Sequence, residues 1–149
     1  MYLGKPSYAS GTPYKFELDF STDCTTIFDI LADVNRTLEL LRKKPSKRMG
    51  SGPIGVGSQW IARFGPFDIG FFKQISRITK YERPRFFSRT LRGSVVCDVD
   101  YLFEAISTGT RVTVTLRVRK VPWLTNKAAY EAVQRFFLTR IKEALEQEK

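Results

Sequence analysis

The 149-residue chain carries 25 Lys and Arg against 15 Asp and Glu, a net charge of +10, with 42% hydrophobic and 27% charged residues. This is ordinary globular composition for one domain and excludes a disordered chain. The chain has no histidine and only two cysteines, Cys24 and Cys97, in no CxxC arrangement. No metal site, no cofactor site and no Ser-His or Cys-His pair is therefore read in it.

No apolar run approaches the ~20 residues that span a bilayer. The N-terminal MYLGKPSYASGTP lacks the apolar stretch of a secretory signal. Residues 1–13 read as a flexible leader ahead of a single domain at 14–149, and a cytoplasmic location is expected.

Tyr14 to Phe20 sets Tyr14, Phe16, Leu18 and Phe20 against Lys15, Glu17 and Asp19, predicting a strand with one wet face. Ser21-Thr22-Asp23 supplies N-cap chemistry for a helix striped by Ile27, Phe28, Ile30, Leu31 and Val34. A second helix is expected from Asn35 to Lys44, burying Leu38, Leu40 and Leu41 and stopping before Pro45. Residues 45–57 hold four of the ten glycines and two prolines and read as a loop.

Ser58 to Phe64 reads as a strand with Trp60, Ala62 and Phe64 on one face. Gly65-Pro66 turns into a long strand from Phe67 to Tyr81 whose phase is mixed. Ile69, Phe71 and Ile75 share one parity, and Phe72, Gln74, Ser76 and Ile78 the other. A bulge, or a face lining a partly polar cavity, accounts for that.

Arg83-Pro84 leads into a strand from Phe86 to Leu91, Arg92-Gly93-Ser94 into one from Val95 to Ala105, and Thr108-Gly109 into one from Arg111 to Lys120. Placing Ser107 opposite Thr110 pairs Phe103 with Val114, Tyr101 with Leu116 and Val99 with Val118. It also sets Asp100 across from Arg117 and Asp98 across from Arg119, with charges on one face and apolar pairs on the other. Asn126 is placed to cap a helix running to about Gln147, with Tyr130, Val133, Phe137, Ile141 and Leu145 on its buried side.

The fold class is thus α+β: a curved antiparallel sheet of six to seven strands gripping a long C-terminal helix, with two short helices after the first strand. One long helix cannot cover so wide a sheet completely, so an internal cavity is expected between them.

Several segments, in order, resemble the START-like superfamily, also called SRPBCC or Bet v 1-like helix-grip, and within it the polyketide cyclase/dehydrase family. They are the Ile27-Phe28-Asp29 and Leu31-Ala32-Asp33 of the first helix, Gly52–Trp60 (GPIGVGSQW), Ile78–Phe86 (ITKYERPRF) and Tyr101–Thr113 (YLFEAISTGTRVT). The likeness covers residues 14–147 and is specific for fold, not for ligand. Relatives commonly place a tryptophan after the first helix, where this chain has Asn35-Arg36-Thr37-Leu38. The resemblance implies a pocket between the concave sheet face and the C-terminal helix.

By parity, Trp60, Phe64, Cys97, Val99, Tyr101, Phe103, Val114 and Leu116 point inward, covered by Tyr130, Val133, Phe137 and Ile141. Plain core packing accounts for such apolar residues equally well. Polar residues on inward parity are more telling, because burying one without a partner costs ~1–3 kcal/mol. Gln74 and Ser76 follow Phe72 on one face of the long strand. Arg89 points inward if a three-residue turn at 92–94 sets it beside Cys97, and outward if the register moves by one. Inside, it favours a carboxylate, phenolate or enolate. Tyr101 offers a hydroxyl for hydrogen bonding or acid catalysis. Cys97 reads as an inert buried thiol, since no histidine activates it.

Basic residues cluster at Arg42, Lys43, Lys44, Lys47 and Arg48, and at Lys73, Arg77, Lys80, Arg83, Arg85, Arg89 and Arg92. Three functions stand open. The first is binding of a hydrophobic or aromatic small molecule, lipid- or polyketide-like and with room for an anionic group. The second is a cyclase/dehydrase-type enzyme that works without metal or histidine, holding an enolate near Arg89 or Tyr101. The third is an RNA- or acidic-protein-binding module using the basic surface, which the absence of a nucleic-acid module disfavours. An anionic membrane surface is a further partner for the basic residues, and the chain is read as a monomer or homodimer.

Overall fold

The computed structural model describes residues 7–8, 12–64, 72–122 and 125–147. In chain order its elements are β1 (Ser7–Tyr8), β2 (Tyr14–Phe20), α1 (Cys24–Ala32), α2 (Val34–Leu40), β3 (Lys47–Met49), β4 (Gln59–Phe64), β5 (Phe72–Glu82), β6 (Phe86–Gly93), β7 (Val96–Ile106), β8 (Gly109–Val121) and α3 (Lys127–Gln147). The expected strand, two short helices, run of strands and final long helix are all present. Two short strands fall outside the expected set. β1 opposes Val121 and Lys120 of β8, and β3 lies within the glycine-rich loop, opposite Gln59–Ile61 of β4. Residues 65–71, on which the expected Gly65-Pro66 turn and the positions of Ile69 and Phe71 fall, lie outside the described residues, as do Trp123 and Leu124.

All strands join one antiparallel sheet in the order β1-β8-β7-β6-β5-β4-β3, with β2 also on β8. β1 and β2 lie end to end on the same edge of β8, since Ser7 faces Val121 and Tyr14 faces Leu116. The long strand resolves its mixed phase with a bulge between Ile78 and Lys80. Before the bulge Ser76 and Ile78 are buried, and after it Tyr81 packs against the core.

The β7–β8 register differs from the expected one by two residues. Ile106 faces Gly109, so the turn is Ser107-Thr108, and the pairs are Phe103 with Val112, Tyr101 with Val114, Val99 with Leu116 and Asp98 with Arg117. Asp100 faces Thr115 and accepts a 2.6 Å hydrogen bond from Ser88 on β6. Asp98 still pairs diagonally with Arg119. Gly109 directly follows this turn. It has φ +145°, and a Cβ there would stand 2.1 Å from the Phe20 carbonyl oxygen. The glycine serves the close approach of β2, not the turn.

The helices follow their capping residues. Asp23 accepts from the Thr26 amide at 3.3 Å, and Asp33 from that of Asn35 at 3.1 Å, so Asp33 ends α1 and starts α2. α2 is shorter than expected and stops at Leu40, ahead of Arg42 at φ +57°. Its buried residue is Thr37, whose hydroxyl donates to the Ile30 carbonyl at 2.7 Å, while Leu38, Leu40 and Leu41 are half-buried. Asn126 accepts from the Ala129 amide at 2.9 Å and caps α3 as expected. On α3 the fully buried residues are Leu138 and Ile141; Val133 is 57% exposed.

α1 docks on the sheet through an aromatic cluster. The Phe28 ring lies 5.3 Å from Tyr81, 5.3 Å from Phe87 and 5.1 Å from Phe103, and Phe87 stacks on Tyr101 at 4.5 Å. Offset and edge contacts of this kind add ~0.5–1.5 kcal/mol per pair beyond burial itself. Among the described residues no helix is long and apolar enough to cross a membrane.

Candidate functional site

The sheet curves away from α3 over its β4–β6 strip, and the protein's own side chains leave a cavity of about 420 Å³ there. This lies within the range of small-molecule sites, ~300–1,000 Å³. The floor is Trp60 and Ala62 of β4, Gln74 and Ser76 of β5, Arg89 and Leu91 of β6, and Tyr101 of β7. Tyr130, Val133, Gln134, Phe137, Leu138 and Ile141 of α3 form one wall, and Leu31, Val34, Thr37, Leu38 and Ser46 the other. Val95, at the β6–β7 turn, closes one end.

Of the residues expected by parity, Trp60, Gln74, Ser76, Arg89, Tyr101, Tyr130, Val133, Phe137 and Ile141 meet at this cavity. Cys97, Val99, Phe103, Val114 and Leu116 do not line it. They point inward as expected but are sealed into the hydrophobic core with α1 and β2 residues such as Phe16, Phe20 and Phe28. The side chains of Phe64 and Phe72 lie outside the described residues. The lining residues that parity alone did not select come mainly from other elements: Leu31, Val34, Thr37, Leu38 and Ser46. Ala62, Leu91 and Val95 share parity with expected residues and were legible by that rule.

Arg89 settles inside, across from Val99 rather than Cys97, because the β6–β7 register moves by two residues and not one. Its Nη2 donates to the carbonyls of Leu31 at 3.0 Å and Ala32 at 3.2 Å. The guanidinium therefore closes the C-terminus of α1, where the helix dipole favours a cation. The guanidinium carbon lies 5.3 Å from the Phe87 ring centre, 5.7 Å from Tyr101 and 6.0 Å from Trp60, within cation–π range. Burial pulls its pKa down, and Tyr101 and Asp33 push it back up.

The other polar groups divide into satisfied and unsatisfied. Gln74 is fully engaged: its Nε2 donates to the Val95 carbonyl at 2.8 Å and its Oε1 accepts from the Val95 amide at 3.1 Å. It clamps the β6–β7 turn to β5. Asn35 holds the opposite lip, donating to the Ser46 carbonyl at 2.9 Å and accepting from its amide at 2.7 Å. By contrast Trp60 Nε1, Ser76 Oγ and Arg89 Nε are buried without a partner.

Burial raises the pKa of Tyr101 and of Tyr130, with Arg89 opposing in both cases, so both phenols are neutral donors at physiological pH. Cys97 is pushed up to about 12, chiefly by burial and then by Asp98, which leaves an unreactive thiol. Of the basic runs, Arg83 reaches back to α1, where its Nε and Nη2 donate to Asp29 at 2.8 and 2.7 Å. Lys73, Arg77 and Arg92 remain on the exposed outer face of the sheet.

Solved structures share this architecture. A putative uncharacterized protein from Rhizobium leguminosarum superposes with a TM-score of 0.74 at 11% identity, over 96% of this chain and 97% of that one. Ara h 8.0201 gives 0.68 at 12% identity, over 91% and 98%. The Aha1 dimer from Colwellia psychrerythraea gives 0.66 at 17% identity, over 91% and 97%. At these identities the likeness shows the fold, which is the helix-grip fold. No family model matches the chain, and no curated protein does.

Proposed function

We propose that this protein binds a hydrophobic or aromatic small molecule between the β4–β6 strip and α3. The observation that carries the reading is the cavity of about 420 Å³ that the protein's own side chains leave open, with walls of Trp60, Leu91, Tyr101, Phe137 and Ile141. Interiors are otherwise packed to crystal density, so a space of this size within well-formed elements is a site. Transfer of apolar surface from water onto these walls supplies the affinity. A second feature supports it. Val133 lines the cavity and is exposed, so the α3 wall reaches solvent.

The test is thermal unfolding against a panel of lipophilic aromatic and aliphatic compounds. A ligand present at 100 times its Kd stabilises by ~2.7 kcal/mol, a rise of roughly 8–11 °C for a chain of this size. Ala62→Phe, which puts a ring into the floor, is expected to abolish that rise without unfolding the protein. Binding that survives this substitution unchanged would place the ligand elsewhere and end the proposal.

A further inference from the structure

Of the five buried side-chain polar atoms without partners among the described residues, Arg48 Nε and Glu131 Oε2 belong to residues that do not line the cavity, and the other three lie together on its floor. Trp60 and Ser76 face each other across β4 and β5, and Ser76 faces Leu91, two residues along β6 from Arg89. The Arg89 guanidinium lies over the Trp60 ring. Trp60 Nε1, Ser76 Oγ and Arg89 Nε thus form one patch on the cavity floor.

An indole N–H and a guanidinium N–H only donate, and the Ser76 hydroxyl can both donate and accept. The patch is therefore short of acceptors. It is also short of negative charge: Asp33 acts on Arg89 through its charge alone, while among the described residues no carboxylate forms an ion pair with Arg89 and no Asp or Glu lines the cavity. Two helix carbonyls and three aromatic faces solvate the cation in part, but a buried charge is fully compensated only by an opposite one. The missing group is an acceptor with a single negative charge and more than one oxygen. A carboxylate has that form and takes a guanidinium side-on. A phosphate monoester brings close to two charges at neutral pH against one buried cation, and leaves the excess desolvated.

Resting on the cavity reading, we infer that the ligand is an apolar acid. Its carboxylate is held by Arg89, Trp60 and Ser76, and its hydrocarbon or ring body lies along α3.

The experiment is a set of size-matched triplets: aromatic and straight-chain carboxylic acids, their methyl esters, and the corresponding phosphate monoesters. Each is titrated calorimetrically into the wild-type protein and its variants. The acid is expected to bind ~10–100-fold more tightly than its ester, the range for a charge-assisted hydrogen bond in a buried site. It should also bind more tightly than the phosphate. Arg89→Met is expected to bring acid and ester within about threefold of each other.

Because Arg89 also closes α1, that variant can fail to fold. Trp60→Phe keeps an aromatic face but loses the N–H together with the five-membered ring; it should weaken the acid ~3–10-fold more than the ester. Arg89→Lys keeps the charge without the fork and should lose most of the acid preference while changing ester affinity little. Equal binding of acid and ester by the wild-type protein overturns this inference and leaves the cavity reading intact. So does a full acid preference retained in Trp60→Phe and Arg89→Lys. Preference for the phosphate overturns the carboxylate assignment. If no member of any triplet binds, the cavity reading falls and takes this inference with it.

Discussion

The inner face of the sheet is treated in two opposite ways along its width. Over β2, β7 and β8 it is closed: Phe16, Phe20, Val99, Phe103, Val112, Val114 and Leu116 are all buried in one core with residues of α1 and α3. Over β4, β5 and β6 the same face keeps Trp60, Ser76 and Arg89 buried beside open space. The first region satisfies its polar groups locally. Thr110, for instance, donates to the Thr22 carbonyl at 2.6 Å. The second leaves polar atoms unmet. Buried unsatisfied groups destabilise a fold, and three of the five among the described residues line this one cavity, which separates what holds the protein together from what it holds.

The largest effect that tests this contrast is in the closed region. Phe28 is fully buried and touches three rings. Phe28→Ala is expected to cost ~3–5 kcal/mol, the range for a large aromatic lost from a packed core. Denaturant unfolding at equilibrium measures it. A loss under ~1 kcal/mol would mean that α1 is not the seal of this core.

In the open region the sign reverses. Ser76→Val replaces an unpartnered buried hydroxyl with a β-branched side chain suited to a strand. It is expected to raise stability by ~1 kcal/mol while weakening binding of a carboxylate ligand several-fold, a trade-off common at sites. Destabilisation by a similar amount would show that the hydroxyl already has a partner, and the contrast between the two regions would lose one of its supports.

The contrast was only half legible in the sequence. Which residues point inward follows from a period of two, and Trp60, Ser76 and Tyr101 follow it, while Arg89 stays open between two registers until its partner strand is fixed. A slip of two residues leaves parity untouched. That is why the β7–β8 pairs were misjudged while their faces were right, and why Arg89 is inside although its neighbour is Val99 rather than Cys97.

What parity cannot supply is the cover. Cys97 and Tyr101 lie on one strand with one parity, yet Cys97 is walled off and Tyr101 reaches the cavity. The difference is set by where α1 and α3 land, through long-range packing. The same holds for the role of Arg89 at the end of α1. The two residues are 57 and 58 positions from the carbonyls it binds, and no local pattern announces the contact. Nor does the glycine-rich stretch at 45–57 announce β3, a strand of three residues fixed by its partner.

The smallest effect comes from the ion pair that ties the closed region to the β5–β6 turn. The hydrogen bond from Arg83, ahead of its charge, holds the Asp29 carboxyl below the usual range against a smaller opposing effect of burial. A depressed folded-state pKa contributes stability that is present above the unfolded value, near 4, and is lost as pH falls through the folded one. The pair is part-exposed, at 51% and 30% for the two side chains, so its worth is under ~1 kcal/mol. Asp29→Asn should therefore cost less than ~1 kcal/mol at pH 7, with the difference from wild type shrinking as pH drops below about 4. Ligand affinity at pH 7 should not change, because Asp29 does not line the cavity. A variant that altered affinity but not stability would place the two regions in communication through α1, whose far end Arg89 holds.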